Sequence, residues 1–221
     1  MKTAVVSLAA ALAFIAWAAS PDTRANDGRS ISTVNGQVSA DEGQSYDTLS
    51  TVNGQVHVAR GVTANEAKTV NGQVLIEEDV KLGKASTVNG QLRVGEGSTI
   101  EHEASTVNGG VKLAKRVRVG GDVSTVSGEI ELDGAEVGGS LTTRNGDIEL
   151  TDGAHVRGNI NVKKKNDSGW SWGKDHEDPV KVNICATCEV LGELRFDRPV
   201  VPHVEPGAKI GQVIGDQVTR R

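Results

Sequence analysis

Ser50-Thr51-Val52-Asn53-Gly54-Gln55-Val56 decides the architecture, because the chain repeats it. It is preceded by Ser32-Thr33-Val34-Asn35-Gly36-Gln37-Val38. It returns as Lys68-Thr69-Val70-Asn71-Gly72-Gln73-Val74, Ser86-Thr87-Val88-Asn89-Gly90-Gln91-Leu92 and Ser105-Thr106-Val107-Asn108-Gly109-Gly110-Val111. Two looser copies follow, Ser124-Thr125-Val126-Ser127-Gly128-Glu129-Ile130 and Thr142-Thr143-Arg144-Asn145-Gly146-Asp147-Ile148. The motif threonines sit at 33, 51, 69, 87, 106, 125 and 143, so the steps are 18, 18, 18, 19, 19 and 18 residues.

A fixed period of this length selects among the repeat folds. Helical repeats need more than about thirty residues for two helices, and propeller blades need about forty. The Leu and Asn spacing of leucine-rich repeats is absent. A unit rich in Val, Thr and Gly holds two or three short strands and tight corners, which is one coil of a β-helix. The expected fold is therefore all-β: a single-stranded parallel β-solenoid with 18–19 residues per coil, seven regular coils and about two irregular ones. Right-handedness is expected from chain twist.

Alternation along the motif assigns faces. Continued without a break, it puts Val52, Gly54, Val56 and Val58 on one side of a strand and Thr51, Asn53, Gln55 and His57 on the other. An outward ladder of Thr33, Thr51, Thr69, Thr87 and Thr106 beside Asn35, Asn53, Asn71, Asn89 and Asn108 is then expected. Such Thr-x-Asn rows resemble the ice-facing side of some solenoid antifreeze proteins, although stacking alone explains them without a ligand. The Asn-Gly pair either lies within the strand or bends it, since both residues tolerate positive φ.

Composition agrees with a thin core. Only Tyr46, Trp170, Trp172 and Phe196 are aromatic after residue 18. Val, Ile, Leu, Ala and Gly suffice for a narrow interior in which like residues lie over like. The formal net charge is −5, and loss of Lys2 with a leader makes it −6. That disfavours nucleic acid, whose phosphates require a positive surface.

Residues 1–18 read as a signal peptide. Lys2 gives the positive start, Ala4 to Ala16 is the apolar run, and Ala16-Trp17-Ala18 is the small-x-small cleavage pattern. No later stretch could cross a bilayer as a helix. A periplasmic, secreted or cell-surface location is expected. Residues 19–31 are polar and serve as an N-terminal cap or a disordered segment, and coils fill 32–162.

The far end departs from the pattern. Val156-Arg157-Gly158-Asn159-Ile160-Asn161-Val162 echoes Val137 to Thr143, and a charged insertion with two tryptophans then occupies 163–179. Coil-like sequence resumes over 180–221, as in Val190 to Phe196 and Ala208 to Val213. Trp170 and Trp172 are either exposed partner contacts, stacking surfaces for sugars among them, or a cover folded over apolar surface. Cys185 and Cys188, the only cysteines, are expected to form a disulfide in an exported protein. In one straight strand they would point to opposite sides and strain the bridge.

No catalytic, cofactor or metal residues stand out. The acids scatter at corners, and the histidines at 57, 102, 155, 176 and 203 show no partner pattern. The reading is a non-enzymatic structural or adhesive rod of the cell envelope. A carbohydrate-active or carbohydrate-binding β-helix and an end-to-end self-assembling scaffold are the alternatives. An envelope component, a carbohydrate or a second copy is the expected partner.

The S-T-V-N-G-[QGE]-[VIL] motif resembles a bacterial adhesin-type family of unknown function with N-G-x-[IV] β-strand repeats behind export signals. The resemblance covers about residues 31–162 and, more loosely, the tail to Val213. Coil length also resembles that of bactofilins, right-handed β-helices that polymerise end to end, but those are usually cytoplasmic and lack a leader. Neither resemblance brings catalytic or cofactor residues.

Overall fold

A computed structural model of the chain describes residues 28–164 and 178–215. Within them the chain winds into a parallel β-solenoid of about ten turns without a helix. The strands form two sheets. Sheet A has sixteen strands and sheet B nine. Every pairing between successive coils is parallel.

One coil illustrates the path. Thr63–Asn71 forms a long strand in sheet A, Gly72 and Gln73 turn the corner, and Val74–Ile76 forms a short strand in sheet B. Glu77, Glu78 and Asp79 then carry the chain to Lys81–Asn89, directly over the strand where the coil began. The register is the one the repeat predicts. Thr33 pairs with Thr51, Thr51 with Thr69, Thr69 with Thr87 and Thr87 with Thr106.

The first 19-residue step has a local cause. Leu82 pairs with Ile100 and Ala85 with Ala104, so one extra residue sits between Ile100 and Ala104. The long strand breaks there into Thr99–Ile100 and Ala104–Asn108. From that coil onward sheet A is built of short pairs such as Arg118–Val119 and Val123–Ser124.

The core is a stack of single-residue columns. Val38, Val56, Val74, Leu92, Val111, Ile130, Ile148 and Val182 form one of them, and all are buried. Leu49, Ala67, Ala85, Ala104, Val123, Leu141 and Ile160 form another. Burial of one such Val or Leu contributes about 1.5–3 kcal/mol. Repetition of that gain in every coil lets so narrow a rod hold together.

The face assignment read from alternation is corrected by the structure. Thr51, Thr69, Thr87 and Thr106 are buried, and Thr33 at the open end is half-buried. Thr51 and Val56 are five residues apart and both point inward. Asn53 and Gly54 form a corner that resets the parity, so alternation cannot be carried through them. Val52, Val70 and Val88 share one environment, as stacking requires, but it is the outer surface rather than the core. The Thr half of the outward ladder, and with it the antifreeze likeness, does not hold.

The later echoes fall in register. Val137 pairs with Val156, Leu141 with Ile160 and Thr143 with Val162. Ile160 pairs with Leu194, Val162 with Phe196, Val190 with Ile210 and Leu194 with Val213. The insertion leaves sheet A after Val162 and re-enters sheet B at Val180, so it replaces an Asn-Gly corner. Trp170 and Trp172 lie outside the described residues, as do residues 1–27.

Candidate functional site

The recurring corner is the most distinctive structure along the rod. Its first component is the inward Thr. A hydroxyl in an apolar core needs a partner, or it costs about 1–3 kcal/mol. Thr51 Oγ1 donates to Gly36 O at 3.0 Å, Thr69 to Gly54 O at 2.9 Å and Thr87 to Gly72 O at 2.9 Å. Thr106 donates to Gly90 O at 3.1 Å and Thr125 to Gly109 O at 3.0 Å. Each Thr therefore ties its coil to the glycine carbonyl of the coil before.

The glycine is needed for close approach. A Cβ at Gly72 would lie 1.9 Å from Gly54 O, and one at Gly109 would lie 1.9 Å from Gly90 O. Any side chain would force the coils apart. Gly36, in the first coil, would meet nothing within 4 Å.

The third component faces solvent. Asn53 Nδ2 donates to Asn35 Oδ1 at 3.0 Å, Asn71 to Asn53 at 2.8 Å, Asn89 to Asn71 at 2.8 Å and Asn108 to Asn89 at 2.9 Å. All five side chains are exposed. Each amide has two N–H groups and two carbonyl lone pairs. An interior rung uses one of each in the ladder and keeps one of each for water or a partner.

Beside this spine, the outer face of sheet A is nearly uniform. Ser32, Ser50, Lys68, Ser86, Ser105, Ser124 and Thr142 stack in one row. Val34, Val52, Val70, Val88, Val107 and Val126 form the adjacent row, exposed at Val34 and half-buried in the rest. These Ser and Val rows were missed from the sequence. Leu49, Ala67 and Ala85, two residues before each Thr, carried the signal that Thr points inward and Ser and Val point out.

Past Asn108 the spine changes. Ser127 bridges Asn108 and Asn145 through the backbone. Arg198 then closes the column from the other side of the insertion. Its guanidinium donates to Arg144 O at 2.5 Å, to Asn145 Oδ1 at 3.3 Å and to Asp178 O at 3.0 Å. A buried Arg shared among three acceptors fixes the edge where the insertion departs.

Sheet B presents a different surface. Ser39, His57, Leu75, Arg93, Lys112, Glu131, Glu149 and Asn183 follow one another along its outward column. Partial burial, with Glu131, Glu149 and Asp147 nearby, pushes the Glu129 carboxyl above its usual range, opposed by Lys112. The hydrogen bond from His57 holds Glu77 below the usual range, helped by the Arg60 amide. Several other outer charges pair between coils, as in Lys84 with Glu103 and Arg116 with Glu96. Exposed pairs of this kind contribute about 0–1 kcal/mol each.

Cys185 and Cys188 form a disulfide. They do not share a strand. The strand Val180–Ile184 ends before Cys185, and Cys188 N–H donates to Cys185 O across a tight turn at 3.0 Å. Cys188 is in the core and Cys185 packs against it.

Among the described residues no group of three or more His, Cys, Asp or Glu side chains could hold a metal ion. No helix among them is long and apolar enough to cross a membrane. Comparisons with protein-family models, with curated proteins and with solved structures found no match.

Proposed function

We propose that the protein is an exported, non-enzymatic rod of the bacterial cell envelope that presents a rigid repeating surface for adhesion or structural attachment. The observation that carries this reading is the exposed Asn spine. Asn35, Asn53, Asn71, Asn89 and Asn108 hold one another in place, and the interior rungs offer one donor and one acceptor per coil. Side chains already fixed by neighbours lose little entropy on binding. A row repeating at about 4.8 Å suits a repetitive partner such as an envelope polysaccharide. The Ser and Val rows beside it give a flat contact with both polar and apolar groups.

The export half of the reading rests on the N-terminal sequence of residues 1–18. The adhesin-type resemblance of the motif supports the attachment half.

Two measurements test the proposal. Fractionation of bacterial cells expressing the full chain should recover it in the periplasm or medium; recovery in the cytosol contradicts export. The exported protein should be retained on isolated envelope polysaccharide, and an Asn71→Ala/Asn89→Ala variant with an unchanged circular dichroism spectrum should be retained much less. Equal retention of both proteins, or of neither, removes the Asn spine as the contact surface.

A further inference from the structure

One backbone bond recurs at the head of the short strands in sheet B. Val38 N–H donates to Gln55 O, Val56 to Gln73 O and Val74 to Gln91 O, each at 2.9 Å. Leu92 donates to Gly110 O at 3.0 Å, Val111 to Glu129 O at 2.8 Å and Ile130 to Asp147 O at 2.9 Å. Each bond runs from one coil to the next. The column continues through Ile148 and Val182, and its last member among the described residues is Pro202.

The orientation of that last strand follows from its neighbours. Val180 N–H donates forward to Pro199 O, and Glu205 N–H donates back to Ile184 O. Alternation along Val200–Val204 then turns the backbone N and O of residue 202 toward the edge of sheet B, where no strand among the described residues pairs with it. That is where the recurring donor would stand, and proline has no N–H. Proline is tolerated in a sheet where its nitrogen faces the unpaired side of an edge strand. Elsewhere in the column the residue is Val, Leu or Ile.

The opposite end of the rod keeps its half of the bond. Gln37 O and Ser39 N–H occupy the positions that face a preceding coil in every later repeat, as Gln55 O does toward Val38. Thr33, the motif Thr with no coil before it among the described residues, donates to Asn35 O in its own coil at 3.0 Å. The N-terminal edge is thus an intact copy of the motif whose complement is the forward edge of another coil. A second copy of this chain carries such an edge at its C-terminal end.

We infer that Pro202 is a stop against head-to-tail stacking of a second copy. Gln37 O of an incoming rod would find no donor at residue 202, and the ladder could not continue. In the corner before this strand Arg198 stands at the register position of Asn145 and Pro199 at that of Gly146, so the Asn spine is withheld as well. Exposed strand edges invite self-association, and proline at an edge is a recognised way to suppress it. The inference stands apart from the proposed envelope role.

Sedimentation over a concentration series of the exported protein tests it. The wild-type chain should remain monomeric throughout. Pro202→Val restores the donor and the residue type of the column, so its weight-average mass should rise with concentration toward a dimer and beyond. Adding Ser39→Pro, which removes a donor from the N-terminal edge alone, should return it to the monomer. Circular dichroism and melting identify a variant that fails to fold, and Pro202→Thr then replaces it. Head-to-tail oligomers of the wild type overturn the inference. So does a folded Pro202 variant that stays monomeric at every concentration, or association that survives Ser39→Pro.

Discussion

Thr125 and Thr143 occupy successive rungs of one inward column, yet only Thr125 has a partner. Its Oγ1 donates to Gly109 O at 3.0 Å, whereas Thr143 Oγ1 is buried without a hydrogen bond. The same substitution should therefore change sign along the column. Thr69→Val removes the bond to Gly54 O and should lower stability by about 1 kcal/mol. Thr143→Val replaces an unpaired buried hydroxyl by a methyl group and should raise it by about 1 kcal/mol or more. Urea unfolding of the two variants checks both signs; equal losses would show that the hydroxyls are not partnered as described.

Gly72 and Gly36 are the same motif residue in different surroundings. Gly72→Ala drives a Cβ into the Gly54 carbonyl and should cost several times more than an ordinary core substitution, about 4 kcal/mol or above. Gly36→Ala meets no atom but sits at φ +114°, so backbone strain alone should cost about 1–3 kcal/mol. Thermal melts of both proteins would rank them; a larger loss at Gly36 would contradict the stacking at the corner.

The carboxyl of Glu129 gives a pH prediction. Burial first, then Glu131, Glu149 and Asp147, raise its folded pKa above the unfolded value. The folded state thus binds this proton more tightly, and ionised Glu129 opposes folding at neutral pH. The penalty shrinks as pH falls through the raised pKa and is gone below the ordinary carboxylate range. Glu129→Gln should raise the melting temperature at pH 7, with the gain vanishing below about pH 4. A gain independent of pH would point to packing instead.

The Cys185–Cys188 disulfide closes a short turn, so its effect on the unfolded chain is small. Loop-closure entropy predicts a loss of about 2 kcal/mol on reduction, with the fold retained. Melting with and without reductant measures it. Collapse of the whole rod on reduction would mean that the C-terminal coils depend on the bridge.

Much of this fold was legible because stacking forces repetition into the sequence. The step of 18 or 19 residues alone placed Thr51 over Thr33 and Ile160 over Leu141. What failed was parity. Alternation was extended through Asn53 and Gly54 as if they lay in one strand, but the corner resets it, and Thr51 and Val56 both enter the core. The residues upstream held the answer, since Leu49, Ala67 and Ala85 lie two before each Thr on the same side. The edge role of Pro202 could not be read, because residues 163–179 hide the register between Ile148 and Val182. Arg198 was equally hidden: its partners Arg144 and Asn145 lie across the same insertion.

The central claim is that equivalent residues lie one above another at the strand spacing. Ser50 and Thr142 are separated by five successive pairings, through Lys68, Ser86, Ser105 and Ser124. Spin labels on a Ser50→Cys/Thr142→Cys variant, measured by pulsed dipolar spectroscopy, should give one narrow distribution whose backbone separation is about 24 Å. A broad distribution, or a separation unrelated to five such rungs, would contradict the stack and every conclusion drawn from it.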